Sequence, residues 1–240
     1  MQPNEGISLM SSGWFLMIPA MLIGLWAQFK LRSNYARYSK VGTVRGYTGA
    51  QAAREILDRN GLPNVEIYEV EGTLSDHYDP TKRAVFLSRD IFHGNSVASV
   101  SVASHEVGHA LQHKAAYGPL GLRMALVPIT GIATNMAMFL ILGGLFLSSV
   151  IGPFSTTLLW IGVGCYALLA FFQLVTLPVE YDASSRAKEQ LLRLGIIDPR
   201  ESGGVSKMLG AAALTYVAAM ISAVLELLRL IMLARSRENH

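Results

Sequence analysis

Charge is what this chain has least of: Asp, Glu, Lys and Arg make up 15% of its 240 residues, against ~25% in an ordinary soluble domain. The deficit is local. Between Arg123 and Glu180, positions 124–179 hold none of these four residues. One bilayer span takes about 20 residues, so the run is too long for a single helix and suits a pair. Spans are expected near 126–149 and 155–178, with Gly152-Pro153 and the following Ser155 and Thr156 supplying the turn. An ordinary soluble globule is excluded. Cysteine is almost missing as well. The lone Cys165 sits within the apolar run, which excludes a disulfide framework and a thiolate metal site. Internal repeats and low-complexity tracts are absent, and a formal charge of +3 gives no reason to infer a nucleic-acid partner.

Two further apolar stretches stand at the ends. Trp14 to Phe29 lies in an uncharged segment preceded by MQPNEG, which has no base, and followed by Lys30, Arg32, Arg37, Lys40 and Arg45. A cleaved signal would need a basic leader, so an uncleaved anchor with its N-terminus outside is expected. Positive-inside reasoning then places residues 30–124 in the cytoplasm, and 180–207 return to the same side two spans later. Met208 to Leu225 is the fourth candidate. It extends to about Ala234 if Glu226 and Arg229 pair on one face. That leaves Arg235 and Arg237 outside, so whether the last helix crosses fully stays open.

The segment after the first span has its own punctuation. Thr48 with Gln51 predicts a capping box, AQAAREILDRN a helix, and Gly61 its end. VEIYEV at 65–70 and AVFLS at 84–88 read as strands, with GTLSDHYDPTKR a loop between them. A peptide substrate is expected to add to the 84–88 strand as a sheet edge.

Residues 104–113 read SHEVGHALQH. His105 and His109, four apart, project from one side of a helix, the bite that two ligands of a tetrahedral zinc require. Glu106 then stands beside the metal, placed as a general base toward water. Asn95 or Ser96 offers the N-cap. Val97, Val100, Val107 and Leu111 fall on one side of the helical wheel with the two histidines roughly opposite, so one face is expected in a core and the other in a cleft. His113 lies about 12 Å along the same helix from His105, too far to share one ion with it.

Catalytic zinc usually takes three protein ligands and keeps one open position. After the third span comes LPVEYDASSRAKEQLLRLG, where Pro178 can start a helix and put Glu180 in its first turn. By position alone Glu180 is either a ligand or a first-turn carboxylate favoured by the helix dipole. Asp182 is the weaker candidate. In DHYDP, His77 or Tyr78 could donate to an oxyanion, or the stretch is simply a hydrogen-bonded turn. Arg186 reads as an interfacial residue.

SHEVGHALQH, DHYDPTKRAVFLS and LPVEYDASSRA together resemble the YugP-type neutral zinc metallopeptidases of bacterial membranes, over nearly the whole chain and including AALTYVAA at 212–219. A more distant likeness is to the HtpX and CAAX-prenyl endopeptidase group, whose third ligand is the Glu of a Glu-x-x-x-Asp helix. That likeness implies Glu180 as the third ligand and keeps the small Ala183. The departure is Ser184, which replaces the Asp, so the bond to a ligating histidine needs another source, Asp182 or Ser184 itself.

The resulting expectation is an α-helical membrane protein with about four transmembrane helices and a small α+β zincin-like cytoplasmic domain carrying the His-Glu-x-x-His helix. Its divisions are an anchor over 1–30, a catalytic segment over 31–124, two spans over 125–178, the third-ligand helix and loop over 179–205, and a C-terminal apolar helix and tail over 206–240. The resemblance implies a zinc endopeptidase of the bacterial cytoplasmic membrane, its site facing the cytoplasm. One Zn²⁺ would be held by His105, His109 and Glu180, with Glu106 catalytic and peptides or membrane proteins as substrates. The alternative is a proteolytically inactive zinc-binding adaptor or chaperone.

Overall fold

The computed structural model describes residues 13–73, 75–146, 150, 152 and 154–238. Pro153 of the expected turn, the MQPNEG leader and His240 lie outside the described residues. The chain is mostly helical and divides into two units. One comprises residues 1–26, 122–177 and 216–240, and the other 27–121 and 178–215.

Four helices are long and apolar enough to cross a membrane. After a 3-10 turn at Trp14–Leu16 comes α1 (Met17–Tyr38). The others are α5 (Gly118–Phe146), α6 (Phe154–Arg193) and α7 (Ser202–Glu238). In the first unit their large side chains point outward, as Ile18, Phe139 and Phe171 do, as expected where the surroundings are apolar. α7 outruns the sequence expectation and reaches Glu238. Its Arg229 packs on Gly13, its Ser222 Oγ donates to the Ala20 carbonyl at 3.5 Å, and Trp160 Nε1 donates to Glu238 at 3.0 Å. The end of α7 therefore lies at the same end of this unit as the start of α1. Glu226 and Arg229 do pair, Nε to Oε2 at 2.7 Å.

The second unit contains α2 (Gly49–Arg59), β1 (Glu66–Val70), β2 (His77–Asp79), β3 (Ala84–Ser88), α3 (Arg89–His93) and α4 (Val97–Lys114). The Thr48–Gln51 capping box forms, and Gly61 leaves the helix in the left-handed region, φ +68°, as a C-terminal glycine should. α2 buries Ala52, Ala53, Ile56 and Leu57 against Val85 and Leu87 of β3 and Val97, Val100 and Val107 of α4.

Three expectations need correcting. First, the loop holds a strand. β2 pairs antiparallel with β3, β1 pairs parallel with it, and the order β1-β3-β2 makes 84–88 the central strand. Both its edges are occupied, so no peptide can add there. β2 has three residues, too few for the alternation that reveals strands in a sequence.

Second, Pro178 does not open a helix. α6 runs unbroken from Phe154–Arg193 with Pro178 inside it. The ring removes one helical N–H bond, the one to the Leu174 carbonyl. Beyond it Val179, Ala183, Ala187 and Leu191, four apart, are all buried, and that stripe holds the helix. Glu180 is therefore in no first turn, and the dipole explanation for it lapses.

Third, α4 is not half open. Besides its valine face it buries Ser101, Ser104, Gly108 and Gln112. The face expected to look into a cleft packs on α6 through Val179, Glu180, Asp182, Ala183 and Ser184.

Candidate metal centre

α4 starts where the sequence indicated, with Ser96 Oγ accepting from Ser99 N at 3.1 Å. From that cap two and a half turns of helix bring His105 and then His109 to the side facing α6. A glycine permits the approach. A Cβ on Gly108 would collide with the Ala183 carbonyl oxygen and the Ala183 backbone behind it, so the two helices sit closer than any larger pair could. Ala183 itself is fully buried. Three residues before it on α6, Glu180 is carried to the two imidazoles.

The distances suit one ion. His105 Nε2 lies 3.1 Å and His109 Nε2 3.7 Å from Glu180 Oε2. Ligand atoms of all three residues lie within 4.8 Å of one another. Tetrahedral zinc with bonds of 2.0–2.2 Å separates its ligand atoms by about 3.4 Å, and two imidazole nitrogens with one carboxylate oxygen are zinc's usual donors. The rings stand edge to face, 83° apart. Among the described residues this is the one such cluster, and it has three members rather than four.

The electrostatics match a cation site. Burial is the largest influence on Glu180 and would raise its pKa. Hydrogen bonds and charge from His105 and His109 outweigh it, holding the carboxyl well below the usual range. At His109 burial again opposes charge, yet the bond to Glu180, the charges of Glu106 and Glu180 and the bond to Gln112 raise its pKa. The pocket thus favours positive charge at the point where the three groups meet. Glu106 is buried beside them, at 8% exposure, and its carboxylate has no hydrogen-bond partner among the described residues.

Each imidazole is also held from behind. Ser184 Oγ lies 3.1 Å from His105 Nδ1, so the serine standing where the HtpX-like pattern has Asp occupies that position with a neutral hydroxyl. His109 Nδ1 lies 3.0 Å from Gln112 Oε1, a partner that sequence reasoning missed. Its signal was present, since Gln112 is three residues after His109 on the same helix, but periodicity alone cannot say which polar residue turns inward. Asp182 reaches neither histidine directly. It accepts from Gln112 Nε2 at 2.8 Å and from Arg186 Nε at 2.6 Å, so Arg186 is tied within the fold by an ion pair.

The remaining candidates lie elsewhere. His113 stays out of the cluster and meets Tyr78, whose hydroxyl is 2.9 Å from Nδ1. His77 stacks on Phe86 with ring centroids 4.7 Å apart. Asp79 caps a turn by accepting from Thr81 N and Lys82 N, while Asp76 accepts from Ser88 N and Oγ and ties the start of β2 to the end of β3. DHYDP is thus both a turn and an edge strand.

The chain is 50% identical over 219 residues to the "Putative membrane protease YugP" of Bacillus subtilis (strain 168), covering 91% of this chain and 95% of that protein. No solved structure matches. Residues 13–235, which contain both helices of the metal cluster and most of all four apolar helices, match the family model described as "Putative neutral zinc metallopeptidase". The chain belongs to that zinc metallopeptidase family.

Proposed function

We propose that this protein is a membrane-embedded zinc endopeptidase whose ion is held by His105, His109 and Glu180. The observation that carries the reading is the three-member cluster with a buried carboxylate beside it. A structural zinc is normally closed by four protein ligands, whereas three leave a coordination position for water. Bound there, zinc would supply Lewis acidity, lowering the pKa of water and polarising the peptide carbonyl. Glu106 accepts the water's proton and returns it to the departing amine. No other side chain of the cluster can do so, because both histidines and Glu180 are committed as ligands. A peptide would pair with the outer edge of β2, the edge strand that touches α4 through Tyr78 and His113. Glu180 lies two residues beyond the end of the expected span on a continuous helix, about 3 Å of rise. Chains held at the bilayer surface are therefore the substrates closest to hand.

The test is Glu106→Gln. The amide keeps the size and cannot accept the proton, so proteolysis falls by about 10²–10⁴-fold while zinc content, measured by metal analysis, stays stoichiometric. Near wild-type turnover in the variant would end this mechanism. No cleavage by either protein would point to the adaptor. The same reading places the site in the cytoplasm, supported by the basic residues that follow the first apolar stretch. Single cysteines at Ser33 and Ser202, in a Cys165→Ser background, then resist an impermeant thiol reagent in intact cells and react after permeabilisation. Labelling of both in intact cells reverses the orientation.

A further inference from the structure

We infer that Gln112 is a positioning residue that fixes the tautomer of His109 and locks it to the turn of α6 carrying Glu180. The inference rests on the zinc site proposed above and adds a residue to it. Gln112 is fully buried, at 0% exposure, and all of its side-chain polar atoms are engaged. Its amide nitrogen donates to the Val179 carbonyl at 2.7 Å and to Asp182 Oδ2 at 2.8 Å. A backbone carbonyl never donates, and the Asp182 oxygen is also held by the Arg186 guanidinium at 2.6 Å. Both of these groups therefore demand the NH₂ end, and the amide cannot be turned over.

The oxygen end must then face His109 Nδ1, 3.0 Å away. An acceptor there requires Nδ1 to carry the hydrogen, which leaves the Nε2 lone pair pointing to the side where Glu180 Oε2 stands. Only that tautomer can ligate a metal through Nε2. The second consequence is geometric. Val179 and Asp182 bracket Glu180 on α6, so one buried amide holds both the second and the third ligand in register. A histidine ligand's outer hydrogen bond commonly goes to a carboxylate, a carbonyl or water. Here a neutral amide takes that place, with the carboxylate of Asp182 one step further out.

The experiment measures Zn²⁺ affinity of the full-length purified protein by competition with a chromophoric chelator. Gln112→Met, similar in length but with no acceptor or donor, weakens binding by about 10–100-fold, the range for lost outer-shell partners. Gln112→Glu combined with Asp182→Asn keeps an acceptor for Nδ1–H and restores a donor opposite residue 112 in place of the lost amide, and recovers part of that loss. In ¹⁵N-histidine spectra of the metal-free protein, taken at a pH high enough that the imidazoles are neutral, wild type and the Gln112→Glu/Asp182→Asn double variant show the Nδ1–H form of His109, and Gln112→Met shows a mixture of tautomers. Unchanged affinity in Gln112→Met, or an equal loss in both variants, overturns the inference. So does a mixture of tautomers in wild type. A wild-type protein that binds no Zn²⁺ overturns the zinc site as well, which separates the two failures.

Discussion

Both units of this molecule pack helices closely over glycine, and Gly108 of one and Gly162 of the other differ in what the glycine approaches. In the unit that carries the candidate metal centre Gly108 lies against the Ala183 backbone. In the apolar unit Gly144 meets both the Leu159 side chain and the Ser155 carbonyl oxygen, whereas Gly162 meets a side chain, Ile141 Cγ1, 2.8 Å from where a Cβ would stand. A side chain can rotate away. A carbonyl in the middle of a helix cannot. The apolar unit can therefore absorb a methyl group at Gly162 by a local shift, whereas the other unit must move the two helices that carry the proposed ligands. Polar groups follow the same division. Around the metal cluster His109, Gln112, Asp182 and Arg186 form one connected chain of hydrogen bonds. In the apolar unit the Glu226–Arg229 pair is satisfied within a single helix face, with Trp14 stacked 4.6 Å from the guanidinium.

The largest break in this comparison is Glu180→Gln. A neutral amide is a poor zinc ligand and the site loses its anionic member, so zinc affinity falls by about 100-fold or more, beyond the range of outer-shell losses. Chelator competition measures it. Asp182→Asn costs less, because Asp182 acts only through Gln112. Retention of wild-type affinity by Glu180→Gln, with loss in Asp182→Asn or His77→Ala, would reassign the ligand.

Next comes Gly108→Ala, which touches no ligand atom. Overpacking at a rigid neighbour costs about 1–3 kcal/mol, and the displaced helices should also weaken zinc binding. Thermal unfolding of the metal-free protein together with zinc titration checks both. A variant that binds zinc normally would mean the helices can part without moving Glu180. Smallest is Gly162→Ala. It meets the Ile141 side chain rather than backbone, gains helix propensity of up to about 1 kcal/mol that offsets the local shift, and should leave zinc affinity unchanged and unfolding within about 1 kcal/mol of wild type. Loss of zinc there would show that a change within the apolar unit reaches the proposed site.

Local signals in the chain were reliable wherever the physics is local. Thr48 and Gln51 are three residues apart and cap each other with no help from the rest of the fold. Gly61 supplies the positive φ that its helix end needs. His105 and His109 share a face because a helix repeats every 3.6 residues, and the Glu226–Arg229 pair follows from the same spacing. The four long apolar stretches declare themselves because a bilayer span requires about 20 such residues.

What the tertiary structure alone decided is which of several locally equivalent residues face one another. β3 became the central strand because a three-residue segment from the loop pairs along it, and three residues leave no periodic trace. α6 continues through Pro178 because a buried stripe from Val179 to Leu191 outweighs one missing hydrogen bond. Resemblance pointed to Glu180, while position alone left it divided between ligand and dipole partner until the continuous helix removed the second choice. Gln112, Asp182 and Ser184 were all visible as polar residues near the motif. Only the close crossing of α4 and α6 over Gly108 and Ala183 aims Gln112 at His109, Ser184 at His105 and Asp182 at Gln112. Spacing along one helix gives the face on which a side chain lies. Its partner comes from a second helix 70 residues away, and the energy that selects that partner is packing between the two.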